Sequence, residues 1–458
     1  MKHLSLEQAI AGFLDELLPG TSLVLGYSGG RDSSVLLHLL ARLCAERPAL
    51  RFMAAHVHHG LSPNADAWAL HCRDECARLG VPLTVSRVRV DPDNGLEAGA
   101  RAARYRALAE LIPVDGVLVT AHHQDDQAET VLLRLLRGSG TRGLGAMEAK
   151  VPFQRGMLAR PLLGVPAVRI QAWASEHGIR HIEDESNASL ELARNFLRHR
   201  IMPELHRRFP GASACLARSA MLLSESDELL NEVAMSDLAM ARTRVPAILR
   251  YPVLLSLSPA RARHAIRFWL DSLGWPMPSR VQLERLFAEV LTARQDARPE
   301  LRLPPGTLHR YRDYLVATPP ETKAGTGAEQ DWNMRDVLPL STGIGFLRAR
   351  PASGGLRAPR PGEPVRIAFR AGGERFHPDG RVHSQRLKKL WQEAGIWPWM
   401  RERLPLVYYG EKLVAVPGVG VAIDALATGN DAALTLELVD SNGEPVLVSA
   451  KGLTDSTR

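Results

Sequence analysis

Cysteine is scarce in this chain. There are four in 458 residues, Cys44, Cys72, Cys76 and Cys215. That number and spacing give no disulfide framework, so the fold must rest on packing rather than cross-links. Cys72 and Cys76 stand four apart inside an expected helix, where packed thiols are the simplest reading. No apolar run approaches the ~20 residues of a membrane span. The first eighteen residues carry Glu7, Asp15 and Glu16 among apolar positions and read as an amphipathic helix, not a secretory leader. A reducing cytoplasm is the expected compartment. No internal repeat is visible. Charge of one sign is also lacking: 57 Lys+Arg against 50 Asp+Glu leave a formal +7. That mild excess permits a polyanionic partner without demanding one.

The length exceeds one core and implies about two to four domains. Over the first ~200 residues, apolar runs at Ser22 to Tyr27, Phe52 to Val57, Leu83 to Val90 and Val117 to Ala121 alternate with helix-length segments at Ser33 to Ala45, Ala65 to Leu79 and Leu96 to Leu111. Strands separated by such helices predict an α/β domain with a Rossmann-like parallel sheet and helices on both faces. Ligands of such sheets sit outside the carboxyl ends of the strands. We place this domain at 1–211. A helical middle domain follows at 212–317, then a Gly/Pro/Thr-rich linker at 318–330. A small mixed α/β C-terminal domain spans 331–440, with a tail at 441–458.

The segment Leu23 to Ser34, LVLGYSGGRDSS, carries the strongest chemistry. A buried strand ends, Ser28, Gly29 and Gly30 turn the chain, and a helix begins near Asp32. Glycines admit a ligand close to bare backbone, and the free N–H groups of a new helix attract phosphate. The loop lacks the Lys-Ser/Thr ending of the commonest nucleotide loop and is not GxGxxG. Asp32 would repel phosphate unless a cation mediates, so it implies Mg²⁺. Ser28 and Ser33 add hydroxyl donors. The plain alternative is a turn with a helix cap.

Other segments fall at the expected strand ends. His56, His58 and His59 lie in one; no cysteine or carboxylate is spaced to complete a metal site with them, and we expect this strand end to form part of the adenosine pocket. After the fourth run comes AHHQDDQAET. A helix from Gln124 puts Asp125 and Glu129 on one face, with Asp126 and Thr130 on the next. Such carboxylates partner a helix dipole, hold Mg²⁺ or bind an amine substrate, and the residues alone do not choose. Glu97, Arg101, Arg104 and Tyr105 share a helical face that is either salt-bridged or functional. Arg194 and Arg198, one turn apart after an acidic loop, face either solvent or the phosphates of RNA. In the C-terminal part, Arg375, Arg381, Arg386, Lys388 and Lys389 mingle with Trp391, Trp397 and Trp399. The basic residues suit RNA; the tryptophans read as core.

SGGRDS is the signature of the PP-loop ATP pyrophosphatases. In the same order as in the tRNA(Ile)-lysidine synthetase family come HVHHGLS, GLEAGARAARY, AHHQDDQAETVLLRLLRGSG, RPLL, IEDESN and RNFLRHRIMP. The resemblance covers about the first 210 residues and resumes from Gly372 to Gly420. Glu185-Ser186 stands where Pro-Ser is expected. The resemblance implies ATP and Mg²⁺ as cofactors, and free L-lysine and a CAU-anticodon tRNA(Ile) as partners. There is no membrane partner, and a homodimer is left open. It implies a wobble cytidine first adenylated at its C2 oxygen and then attacked by the lysine amine. On that reading Ser28, Gly29, Gly30, Arg31, Asp32 and Ser33 bind ATP. Asp32, Asp125, Asp126, Glu129 and Arg194 act in catalysis, and Asp32 and Asp126 hold the metal. Arg194, Arg198, Arg375, Arg381, Arg386, Lys388 and Lys389 meet tRNA. The competing readings are a thiolase-type modifier of the same superfamily and a nucleotide-binding regulator without catalysis.

Overall fold

The computed structural model describes residues 5–91, 95–185, 189–294, 297–319, 327–446 and 449–450. Part of the expected linker (320–326), part of the tail (447–448 and 451–458) and the end of the acidic loop (186–188) lie outside them, as does the side chain of Glu97. Two compact units form, Met1–Leu229 and Leu230–Arg458.

The first unit opens with α1 (Leu6–Asp15), capped by Ser5 and Gln8 in a reciprocal box. Then β1 (Ser22–Gly26), α2 (Arg31–Ala45), β2 (Arg51–His58), α3 (Ala65–Arg78), β3 (Leu83–Arg87), α4 (Leu96–Glu110) and β4 (Val117–Val119) alternate as the apolar runs predict. After α5 (Gln124–Leu136) and the short α6 (Thr141–Leu144) comes a hairpin, β5 (Lys150–Phe153) and β6 (Gly156–Ala159). The pattern of apolar runs does not indicate this hairpin. The sheet order is β3-β2-β1-β4-β6-β5, parallel except for β5. Next come α7 (Ala167–Glu176), α8 (Ala193–Phe196), a π-helical turn at Leu197–Ile201 and α9 (Met202–Arg208).

The period-two rule sorts each strand between two cores. Leu23 and Leu25 of β1 pack with α1, α2 and α7 through Ile10, Leu36, Leu39 and Ile170. Val24 packs on the other face with Leu108 of α4 and Leu118 of β4. Each fully buried leucine contributes about 1.5–3 kcal/mol relative to exposure. Both faces are therefore covered, and function is left to the strand ends. The chain leaves β1 toward β2 and β3 on one side and returns as β4 on the other. The crevice between the ends of β1 and β4 is the topological switch point, where such sheets take ligands.

Beyond α10 (Ala212–Ala239), the second unit contains α11 (Tyr251–Leu255), α12 (Pro259–Ser272) and α13 (Arg280–Arg285). The helical reading is met, with an addition. β7 (Ile248–Arg250), β8 (Glu300–Leu303), β9 (Gly306–Tyr311) and β10 (Tyr314–Thr318) form an antiparallel sheet in the order β7-β10-β9-β8. Ala265, Ile266 and Trp269 of α12 pack with Leu308 and Leu315 of that sheet. The C-terminal part is mixed, as expected. Strands Val365–Ala368, Leu406–Tyr409 and Lys412–Val416 pair antiparallel around α14 (Leu387–Glu393). Trp391 and Trp397 are buried, as core residues should be.

Candidate active site

The loop after β1 folds as its residues require. Gly29 has φ +84°, a region costly to residues with a side chain, and a Cβ there would stand 2.3 Å from Cδ1 of Ile182. The Ile182 amide donates to the Gly29 carbonyl at 2.9 Å, and Ile182 pairs with Gly30 as a parallel bridge. Gly30 then precedes the first turn of α2 in extended backbone. Within the loop the Ser28 and Ser33 hydroxyls meet at 3.0 Å, and the Ser33 hydroxyl donates to the Gly30 carbonyl at 2.9 Å. Below it, Ser34 Oγ donates to the Gly29 carbonyl at 3.2 Å and meets the Tyr27 hydroxyl at 3.3 Å. The amides that open α2 have no earlier turn of helix to pair with, which is the arrangement that receives phosphate oxygens.

The loop after β4 comes to the same crevice. His123 caps α5: its Nδ1 accepts the Asp126 amide at 3.4 Å, while the Asp126 carboxylate accepts the His123 amide at 3.1 Å. This cap aims His123 Nε2 at two carboxylates, Asp32 Oδ2 at 3.6 Å and Asp126 Oδ2 at 3.4 Å. Burial alone would raise the Asp32 carboxyl, but the His123 bond and charge, with Arg31, hold it below its ordinary range. Burial likewise opposes charge on His123, yet Asp32, Asp126 and Asp125 together raise it above the usual imidazole value. His123 is not among the residues that the sequence singles out. A histidine immediately before a helix with Asp three positions on was the available signal.

A second layer closes the acidic group. The π-helical turn follows Arg194 and contains Arg198. Arg198 grips Glu129 through Nε at 2.6 Å and Nη2 at 2.9 Å, and reaches Asp126 Oδ1 at 2.8 Å. Arg194 donates to Glu129 at 3.1 Å and to Thr130 Oγ1 at 2.8 Å. Glu129 itself is buried. The bidentate Arg198–Glu129 pair and the single bonds beside it fix the carboxylates. Burial would lift the Asp126 carboxyl, but His123, His122, Arg198 and Arg194 bring it down.

Asp125 lies on the other side of the His123 ring, its Oδ2 3.9 Å from Nδ1. Its carboxylate accepts the Ala167 amide at the start of α7 at 2.8 Å and the Ser213 hydroxyl at 2.8 Å. It ties three segments together beside the crevice. Among the strand-end histidines, His56 Nδ1 meets the Tyr27 carbonyl at 3.0 Å, His58 meets Asp66 at 3.2 Å, and Arg104 donates to His59 at 3.3 Å. Their nitrogens serve three different partners rather than one centre. Cys72 and Cys76 are buried, and burial pushes their thiols up to about 12 and about 11. Such thiols hold their protons and are poor nucleophiles.

In the second unit, Arg375, Arg381, Arg386, Lys388 and Lys389 are exposed. Arg375 donates to the Ser384 carbonyl at 2.7 Å, and Glu393 takes Arg381 at 2.5 Å and Lys389 at 3.8 Å. Arg386 and Lys388 flank the start of α14.

Known proteins match along most of the chain. A PP-loop domain model covers residues 3–205, a TilS substrate binding domain model 249–316 and a TilS substrate C-terminal domain model 365–438. The tRNA(Ile)-lysidine synthase of Serratia proteamaculans is 44% identical over 403 residues, 87% of this chain and 91% of that one. That of Shigella flexneri is 43% identical over 423 residues, 91% of this chain and 96% of its own. That of Salmonella typhimurium is 45% identical over 418 residues, 90% and 95% respectively.

Proposed function

The chain belongs to the tRNA(Ile)-lysidine synthase family, and from that premise we propose how its own residues carry out the reaction. It is an ATP-using enzyme of tRNA modification that forms lysidine. The substrates on our reading are ATP, free L-lysine and a tRNA(Ile) with a CAU anticodon, in the cytoplasm. The scheme works with one chain or two. Among the described residues no helix is long and apolar enough to cross a membrane.

One observation carries the proposal: the phosphate loop and the acidic start of α5 converge on His123, with Asp32 and Asp126 on the same nitrogen. ATP lies with its β- and γ-phosphates on the loop 28–33, leaving the α-phosphate open at the crevice. Asp32 and Asp126 are hard oxygen donors held low in pKa beside the loop, and they fit Mg²⁺. Bound there, the ion would offset phosphate charge and favour departure of pyrophosphate. The C2 oxygen of the wobble cytidine attacks the α-phosphate; the resulting adenylate leaves far better than the bare oxygen. The ε-amine of lysine then attacks C2 and AMP departs, giving a CAU anticodon that reads AUA as isoleucine. The amine must first lose a proton to solvent water, since its reference pKa is ~10.4. Asp126 and Glu129 orient it, and they accept it in competition with Arg194 and Arg198. Arg194 and Arg198 meet the incoming RNA only as that competition frees them.

On this reading we divide the labour as catalysis in 1–211, a helical middle part in 212–317, a linker at 318–330, tRNA capture in 331–440 and a tail at 441–458. Incubation with ATP, tRNA and radiolabelled lysine tests the whole reading. Label should enter one nucleotide of tRNA with stoichiometric AMP; label-free tRNA beside ATP turnover would overturn it.

A further inference from the structure

On the face of the sheet that packs α2, α3 and α7 lies a cleft of about 700 Å³ that the reaction does not use. Its walls are the second half of α2, with His38 and Arg42, and the end of α3, with Arg78. The end of α7 and the turn beyond it add Trp173, His177 and Arg180. Helix α2 starts at the phosphate loop and runs back from it, so these residues stand away from the carboxyl ends of the strands. The volume falls within the range of small-molecule sites. Three guanidiniums and two imidazoles line the cleft, and no carboxylate does.

The cations are anchored from beneath. Glu75 is buried and takes Arg78 at 2.7 Å on one oxygen and Arg180 at 2.5 Å on the other. His38 Nε2 accepts a second bond from Arg78 at 3.2 Å. Burial, then the Arg78 charge, push His38 below the usual imidazole range, so the fixed charge is that of the arginines. Arg42 has a 3.5 Å contact to Glu7, whose same oxygen already takes the Trp173 indole at 2.6 Å. Each arginine spends only its Nη2. Among the described residues the Nε and Nη1 groups of Arg42, Arg78 and Arg180 make no hydrogen bond to the protein. Nor are these side chains hidden: they are 50%, 49% and 65% exposed.

One wall is flat. The His177 ring lies on Trp173 with centroids 3.9 Å apart and planes 13° off parallel. A 3.0 Å bond from His177 Nδ1 to the Trp173 carbonyl fixes it there. Trp173 is buried and His177 is exposed, so one face of the imidazole meets solvent. Idle guanidinium donors match a phosphate, and a ring plate matches an aromatic base. A bare phosphate would use the arginines and leave the plate, with the apolar Leu79 and Ile179 in the same wall, unmet.

We propose that this cleft is a second nucleotide site, which takes a nucleoside monophosphate with its base on His177 and its phosphate on Arg42, Arg78 and Arg180. The unit is the same whether it comes as free AMP or as one residue of an RNA strand.

Photolabelling of the full-length protein with 8-azido-AMP, followed by peptide mapping, tests this by binding alone and so separately from lysidine formation. Label should enter the peptide that carries His177. In Arg42→Gln and Arg180→Gln the concentration for half-maximal labelling of that peptide should rise about 10-fold or more. Any label in the catalytic crevice should stay as in wild type, which also reports the fold. Arg42 stands outside the Glu75 pair, so its variant reads the same loss should Arg180→Gln not fold. Unlabelled AMP should compete better than adenosine or inorganic phosphate. Competition by short single-stranded RNA below the AMP concentration would assign the site to RNA, and the reverse to the free nucleotide. Label confined to the crevice, equal labelling of the His177 peptide in both variants, or adenosine competing as well as AMP would each overturn the proposal.

Discussion

Asp32 and Asp126 stand in the first turns of the helices that follow different strands, yet they share one nitrogen: His123 Nε2 lies 3.6 Å from the first and 3.4 Å from the second. Phosphate loop and acidic helix are thereby a single electrostatic unit, and the consequences can be measured.

Replacing Asp32 by Ala should abolish adenylation and leave the fold intact. Loss of one group that stabilises developing charge costs about 10²–10³-fold or more in turnover. Circular dichroism and pyrophosphate release, taken side by side, check this. Near-normal turnover would remove Asp32 from the site.

Gly29→Ala should weaken ATP binding and stability together. The φ of +84° costs an alanine about 1–2 kcal/mol, and the Ile182 contact adds to it. Adding Ile182→Val should recover only the contact part. Calorimetric ATP affinity and thermal midpoints of the single and double variants decide; normal ATP binding by Gly29→Ala would contradict the loop geometry.

In the second unit, Arg357 holds Glu363 by two bonds of 2.7 Å, and the Arg360 amide adds a third at 2.8 Å. The Arg357 bond is the main cause that lowers the Glu363 carboxyl to about 2. A carboxyl depressed in the folded state stabilises above its unfolded pKa, and that benefit fades as pH falls toward the folded value. Glu363→Gln should therefore cost about 1 kcal/mol at pH 7, allowing for solvent screening. The gap from wild type should narrow below about pH 4.5. Urea titrations across that range test it, and a gap that widens in acid would reverse the sign.

Charge reversal at Arg386, Lys388 and Lys389 should weaken tRNA binding and flatten its salt dependence. Each phosphate that is no longer neutralised lowers the log–log slope by about 0.7–0.9. An unchanged slope would place RNA elsewhere.

The order of chemistry predicts that pyrophosphate exchange into ATP requires tRNA and proceeds without lysine. AMP should appear only when lysine is added. Omitting each substrate in turn is the check. Brisk exchange with lysine and no tRNA would show that the amino acid is activated first.

The first unit was readable because its signals are local. Apolar runs gave β1 to β4, and SGGRDS and QDDQAET fell at strand ends, where a parallel sheet takes ligands. Partner choice was not readable. Arg194 and Arg198 look like an exposed basic face in one dimension, and only the packing of the π-helical turn on α5 turns them onto Glu129. Asp125 and Asp126 are adjacent in sequence, but the helix bonds one to Ala167 and Ser213, on the Nδ1 side of His123, and brings the other to His123 Nε2 and Arg198. The sheet β7–β10 was not readable because β7 is three residues long and stands among helices, far along the chain from the β8, β9 and β10 run it joins.

The bond from Ile182 to Gly29 also bears on how the protein comes into being. The segment that seats the phosphate loop emerges from the ribosome about 150 residues after it, and Glu185, the partner of Ser62 and Asn64, follows those residues by 123 and 121. Long-range closure of this kind is slow to form. A nascent chain should therefore carry the nucleotide signature for several seconds of synthesis, at about 5–20 residues per second, before the loop is seated.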